Sequence, residues 1–77
     1  MRVLFFGQTA EIVGARELEI LIEKSTIAGE AFAEILEQYP SLKEHKLLFA
    51  VNQEYSSGDE VINNSDELAI FTAVSGG

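Results

Sequence analysis

Apolar and polar positions change their period several times along the chain, and each change predicts an element. Val3, Leu4, Phe5 and Phe6 form an unbroken apolar run closed by Gly7, which predicts a central strand over residues 1–8, covered on both faces. From 16 to 23, Leu18, Ile20 and Ile22 alternate with Glu17, Glu19, Leu21 and Glu23, the period of a half-buried strand with an acidic outer face. Between them, 9–13 reads as one helical turn, with Thr9 as cap and Gly14 as stop. Ala28, Ala31, Phe32, Ile35, Leu36 and Tyr39 then recur on one helical face while Glu30, Glu34 and Glu37 fall outside it. This predicts an amphipathic helix of about three turns, capped by Thr26 and ended by Pro40. Gly29 inside its first turns costs up to about 1 kcal/mol relative to alanine, for which close packing on a sheet is the expected compensation.

The second half returns to extended patterns. The run 46–52, KLLFAVN, predicts a strand; Gln53-Glu54 a tight connection; and Tyr55-Ser56 a short return. Ser57-Gly58-Asp59 form a loop, Val61-Ile62 make a brief apolar contact, and 63–66 is a polar turn before a last strand over 67–74. The expectation is an α+β fold, one main helix across a mixed sheet of four to five strands, with first and last strands as central neighbours. A length of 77 residues allows one domain over 1–77, whose last four residues form a flexible tail, and little room for a deep enclosed pocket.

Charge and composition narrow the function classes. Thirteen acids against five Lys and Arg give a net charge of −8, which repels a phosphate backbone and argues against nucleic-acid or anionic-membrane binding. Such a balance serves solubility, or steers the chain toward a basic protein partner. No cysteine is present, which excludes disulfides, thiolate zinc sites and thiol nucleophiles. The apolar run 3–6 is too short for a signal core or membrane span, so a cytoplasmic location is expected.

Candidate chemistry sits at the C-terminus. Gly76-Gly77 follow a strand-like run and would carry the α-carboxylate on a tip without side chains, able to thread a narrow passage. A carboxylate is a poor acyl donor until a partner activates it, so the functional reading needs an adenylating enzyme; the other reading is a frayed terminus. His45, the one histidine, reads as a surface or helix-end residue, and the serines have no histidine-and-acid pattern for a triad. Glu17/Glu19 and Asp59/Glu60 read as solubilising charges, and no metal site is expected. Phe5 and Phe6 point to opposite faces of their strand, so one of them is expected on an open face, where Tyr55 and Phe71 could join it as interface anchors; burial of all of them in the core is the other reading.

These residues resemble the small subunit of molybdopterin synthase, the MoaD family of ubiquitin-like sulfur carriers. The resemblance is carried by VLFFGQTAEIVG at 3–14, the helix closed by Gln38-Tyr39-Pro40, the run 49–55, and Asp66 to Phe71 leading into Val74-Ser75-Gly76-Gly77. Two segments depart from the family pattern: Ser65-Asp66-Glu67 stand where it has Gly-Asp-Glu, and Thr72-Ala73 where it has Pro-Pro. Asn64 is therefore the residue expected to take positive φ, and a tail without its prolines is expected to be softer.

The resemblance implies a ubiquitin-like β-grasp fold and a protein that is not an enzyme on its own. Its Gly77 carboxylate would be adenylated by an E1-like, MoeB-like activating enzyme using ATP, then converted to a thiocarboxylate. The tail Val74, Ser75, Gly76 and Gly77 would enter a MoaE-like large subunit, in a heterotetramer of two small and two large subunits, and donate sulfur to cyclic pyranopterin monophosphate to yield molybdopterin. Phe6, Tyr55 and Phe71 match interface positions with the large subunit. The chain itself would bind no cofactor. The alternatives are a carrier for thiamine synthesis or tRNA thiolation, or a ubiquitin-like modifier or interaction module.

Overall fold

A computed structural model describes residues 1–73. Strand β1 (Arg2–Phe5) leads through a six-residue helix α1 (Gln8–Val13) to β2 (Glu17–Glu19), a short β3 (Thr26–Ile27) and the main helix α2 (Ala28–Gln38). A 3-10 helix (Pro40–Glu44) follows, then β4 (Leu47–Val51), β5 (Glu54–Tyr55), β6 (Val61–Ile62) and β7 (Glu67–Thr72). Five strands form one sheet in the order β2-β1-β7-β4-β5, with β1 and β7 parallel and the other neighbours antiparallel. The first and last strands are thus the central neighbours, the mixed sheet and single main helix of a β-grasp. The brief apolar contact at Val61-Ile62 is a strand, paired antiparallel with β3 as a separate two-stranded sheet.

One face of the large sheet meets α2. Val3 and Phe5 on β1, Leu68 and Ile70 on β7, and Ala28, Ala31 and Ile35 on α2 make the core with Met1, Leu42 and Ile62. Phe32 of α2 stacks on Phe49 of β4 at 4.4 Å between ring centroids, and Tyr39 meets the edge of Phe5 at 6.4 Å. Leu42 is fully buried from the 3-10 helix that Pro40 starts, a core position that the end of the amphipathic pattern did not reveal.

Several local expectations are corrected by tertiary contacts. Thr26 does not cap α2: it lies in β3, its hydroxyl donates to Glu30 at 3.1 Å, and Ile27 is the N-cap. The first helical N–H groups are taken by a loop instead, Ala28 by the Glu60 carbonyl at 2.8 Å and Gly29 by the Gly58 carbonyl at 2.9 Å. That approach explains Gly29, since a Cβ there would stand 3.2 Å from the Gly58 oxygen; the close neighbour is this loop rather than the sheet. Thr9 does not cap α1 either; it is buried, and its hydroxyl lies 2.7 Å from the Phe6 carbonyl and 3.0 Å from that of Ile70.

Asn64 does not take positive φ. Among the described non-glycine residues only Asn52 (49°) and Gln53 (73°) do, and these two form the tight turn between β4 and β5, one residue earlier than expected. Asn64 instead brackets the backbone of Ile22, accepting from its N–H at 2.7 Å and donating to its carbonyl at 2.8 Å. Strand β2 is shorter than the alternation over 16–23. Its pairing with β1 runs from Glu17 opposite Leu4 to Glu19 opposite Arg2, and the Ile20 N–H then donates to the Met1 carbonyl at 2.9 Å.

Candidate functional site

The register of the sheet determines what its other face presents. Glu17, Leu4, Ala69, Ala50 and Tyr55 are successive cross-strand partners, so they form one row across all five strands. Two residues along β1 toward its start, Glu19, Arg2 and Glu67 form a charged row, with the Arg2 guanidinium 3.0 Å from Glu67 and 3.6 Å from Glu17. Two residues in the other direction, Phe71 lies opposite Leu48, and Phe6, whose N–H donates to the Ile70 carbonyl at 3.1 Å, continues β1 beside them. The face therefore runs from charged at one end to apolar and aromatic at the other.

The three predicted interface residues share this face, outside the core cluster. Phe6 is 51% exposed while Phe5 is 2% exposed, the division that their adjacency demands in an extended strand. Tyr55 is 76% exposed, on the edge strand, with its ring 5.8 Å from that of Phe71, which is half-buried. Leu48, 41% exposed beside Phe71, belongs with them and was missed. The unbroken run Leu47 to Val51 hides which residues face which way. The two-residue turn sets Ala50 opposite Tyr55, and the pairing with β7 sets Leu48, two positions before it, opposite Phe71, which makes Leu48 a member of this face.

The aromatic end of the face is also where β7 leaves the sheet, because β1 and β7 run parallel. Thr72 is the last β7 residue, and the Ala73 N–H donates to the Lys46 carbonyl at 2.8 Å. Where the family has proline, Ala73 thus supplies an N–H that ties the chain to the residue before β4; the softness expected of the tail falls on residues outside those described. The tail positions Val74, Ser75, Gly76 and Gly77 lie outside the described residues. His45 is the half-buried C-cap of the 3-10 helix. Asp59 and Glu60 belong to the loop under α2, where the Ser56 hydroxyl is the main reason that the Glu60 carboxyl is held below its ordinary range. Among the described residues no cluster of metal-ligating side chains occurs, and no helix is long and apolar enough to cross a membrane.

The arrangement is an open sheet face with exposed aromatics at one end. An open sheet with exposed aromatics next to the departing strand can hold a partner and direct the following residues into it.

Comparison with known proteins agrees with this layout. The model of the ThiS family matches residues 3–77. The molybdopterin synthase sulfur carrier subunit of Caenorhabditis elegans is 38% identical over 81 residues, covering 100% of this chain and 96% of the relative. That of Escherichia coli is 35% identical over 80 residues, covering 100% and 99%. Among solved structures, SAMP1 from Haloferax volcanii superposes with a TM-score of 0.84 at 25% identity, covering 100% of this chain and 98% of that one.

Proposed function

The chain belongs to the ThiS family, among the molybdopterin synthase sulfur carrier subunits, and from that premise we propose that it carries sulfur on its C-terminal glycine for molybdopterin synthesis. The observation that carries the reading is the alignment of the whole chain with those subunits, with the family match extending through Gly76-Gly77. The exposed aromatic end of the sheet, beside the departing β7, supports it independently.

The chemistry proceeds in three steps. The Gly77 carboxylate attacks the α-phosphate of ATP in an E1-like activating enzyme, giving the acyl adenylate and releasing pyrophosphate. A sulfur nucleophile then displaces AMP at the acyl carbon and leaves a thiocarboxylate. In the large subunit, the thiocarboxylate sulfur forms a C–S bond at a side-chain carbon of cyclic pyranopterin monophosphate as a C–O bond of that carbon breaks, its oxygen leaving as water or on the phosphate, and hydrolysis of the resulting acyl–sulfur bond returns the carboxylate and leaves the sulfur on the pterin as a thiolate. Two such transfers complete the dithiolene.

In this reading the chain is a co-substrate whose acids and bases play no role in the chemistry. The large subunit supplies the catalytic groups and covers Phe6, Leu48, Tyr55 and Phe71, while residues 74–77 enter its site. One domain over 1–77, two small subunits paired with two large ones, and a cytoplasmic setting complete the proposal.

The test is intact mass after incubation with ATP, a sulfur donor and the activating enzyme. The expected result is a gain of one oxygen-to-sulfur exchange mapped to Gly77, abolished by a single extra residue after it. An unchanged mass with an activating enzyme proven active on another carrier would refute the reading. The likeness to SAMP1, named a small archaeal modifier protein in another solved structure, makes an isopeptide between Gly77 and target lysines the competing result.

A further inference from the structure

Beside the open face lies a groove of about 640 Å³, between α1 and the chain entering β2. Its walls include Leu4, Phe6, Gly7, Ala10, Gly14 and Ala15. Small residues make the groove: a Cβ at Gly7 or Gly14 would meet no atom within 4 Å, and both glycines hold positive φ, at 57° and 82°, where side chains are rarely tolerated. Leu4 and Phe6 belong to the groove and to the open face at once, so a partner seated on that face reaches the groove without crossing polar surface. The groove also lies at the end of β1 beside which β7 departs.

Three charged side chains line it: Glu11 on α1, Arg16, and Glu17 on β2. Their formal sum is one negative charge, which Arg2 beside Glu17 balances, so any local preference for a cation rests on Glu11. Glu17 is near the Arg2 guanidinium, at 3.6 Å, whereas Glu11 has no cation within 4.0 Å among the described residues.

We propose that this groove receives an extended segment of the large-subunit partner, with an apolar side chain against Leu4, Phe6 and Ala10 and a lysine or arginine at Glu11. The proposal rests on the reading of the open face as the large-subunit interface. The contact then has two regions: the flat aromatic row supplies area, and the groove fixes the lateral position of the chain. A lateral slip would move the departing β7, so seating the groove also orients the tail toward the partner's site.

The test measures binding of the full chain to the large subunit by titration calorimetry at low and high salt. Ala15→Phe, which fills the groove, is expected to weaken binding by about tenfold or more. Glu11→Lys is expected to weaken it several-fold at low salt, with the difference shrinking at about 0.5 M salt as charges are screened. Glu34→Lys, on the exposed side of α2, is the control for net charge and is expected to stay within about twofold. Because Ala15→Phe could disturb folding, circular dichroism and a urea melt accompany it, and Glu11→Lys, at an exposed position, stands independently. Parent-like affinity for Glu11→Lys and for a folded Ala15→Phe, with Phe71→Ala weakened, overturns the groove and spares the face. Parent-like affinity for Phe71→Ala as well removes the premise and the proposal with it.

Discussion

Replacing Phe71 by alanine separates a docking residue from a core residue, and the structure supplies the comparison that gives the numbers meaning. Phe71 and Ile70 are neighbours on β7, one on the open face and one at 0% exposure in the core. Phe5, at 2% exposure, is the matching core aromatic. Truncating Phe5 removes a packed ring and leaves a cavity, costing about 3 to 5 kcal/mol of stability. Phe71 is half-buried, and its ring contacts are with Tyr55, 5.8 Å away, and its cross-strand partner Leu48. Loss of the aromatic pair costs about 0.5 to 1.5 kcal/mol, and the partial exposure already present limits the further loss to about 1 kcal/mol. Phe71→Ala should therefore remain folded, with a stability loss of about 1.5 to 2.5 kcal/mol.

The proposed complex would bury the same ring at the centre of its interface, and its removal should then cost at least about 2 kcal/mol, or roughly 30-fold in Kd. Urea unfolding of Phe71→Ala and Phe5→Ala gives the stability side, and calorimetric titration with the large subunit gives the binding side. A urea midpoint for Phe71→Ala as low as that of Phe5→Ala would show Phe71 to be core. Binding within about twofold of the parent by a folded Phe71→Ala would refute the docking face.

Individual contacts set three further outcomes. Gly29→Ala should lower stability by about 1 kcal/mol despite the better helix former, because its Cβ meets the Gly58 oxygen at 3.2 Å in a loop pinned by Ser56 and Glu60; a raised urea midpoint would show that the loop yields. Asn64→Ala removes both bonds to the Ile22 backbone and one of 3.3 Å from the Met1 amine, and should cost about 1 to 2 kcal/mol in the same assay. Asp66 is held below its ordinary value of 3.8, first by the Asn52 side-chain amide and then by the Asn63 N–H. A depressed folded value means that this stabilisation is present above the unfolded value and is lost as pH falls through the folded one. Urea midpoints should therefore drop as pH falls below about 4, and less steeply for Asp66→Asn.

What the sequence determined by itself is largely what local pattern controls. The helical stripe from Ala28 to Tyr39 specified α2 because one apolar face repeats at helical period, and Pro40 limited it through its effect on the preceding residue. The adjacency of Phe5 and Phe6 required opposite faces, and the structure shows one buried and one exposed. The motifs at 3–14, 49–55 and 66–77 carried the family, which the comparisons bear out.

What tertiary structure decided is where groups distant in sequence meet. Thr26 has the chemistry of a cap, but α2's first N–H groups were taken by carbonyls some 30 residues away, at Gly58 and Glu60. Asn64 has the tolerance for positive φ, but two good bonds to Ile22 gave its side chain another task, and the turn formed at Asn52-Gln53 instead. Leu48 joined the open face through the register of β4, with Ala50 opposite Tyr55 and Leu48 opposite Phe71, which an unbroken apolar run cannot encode. The physical reason is common to all three: propensity is a local free energy of about 1 kcal/mol, and a long-range hydrogen bond or a strand register acts on the same scale and overrides it.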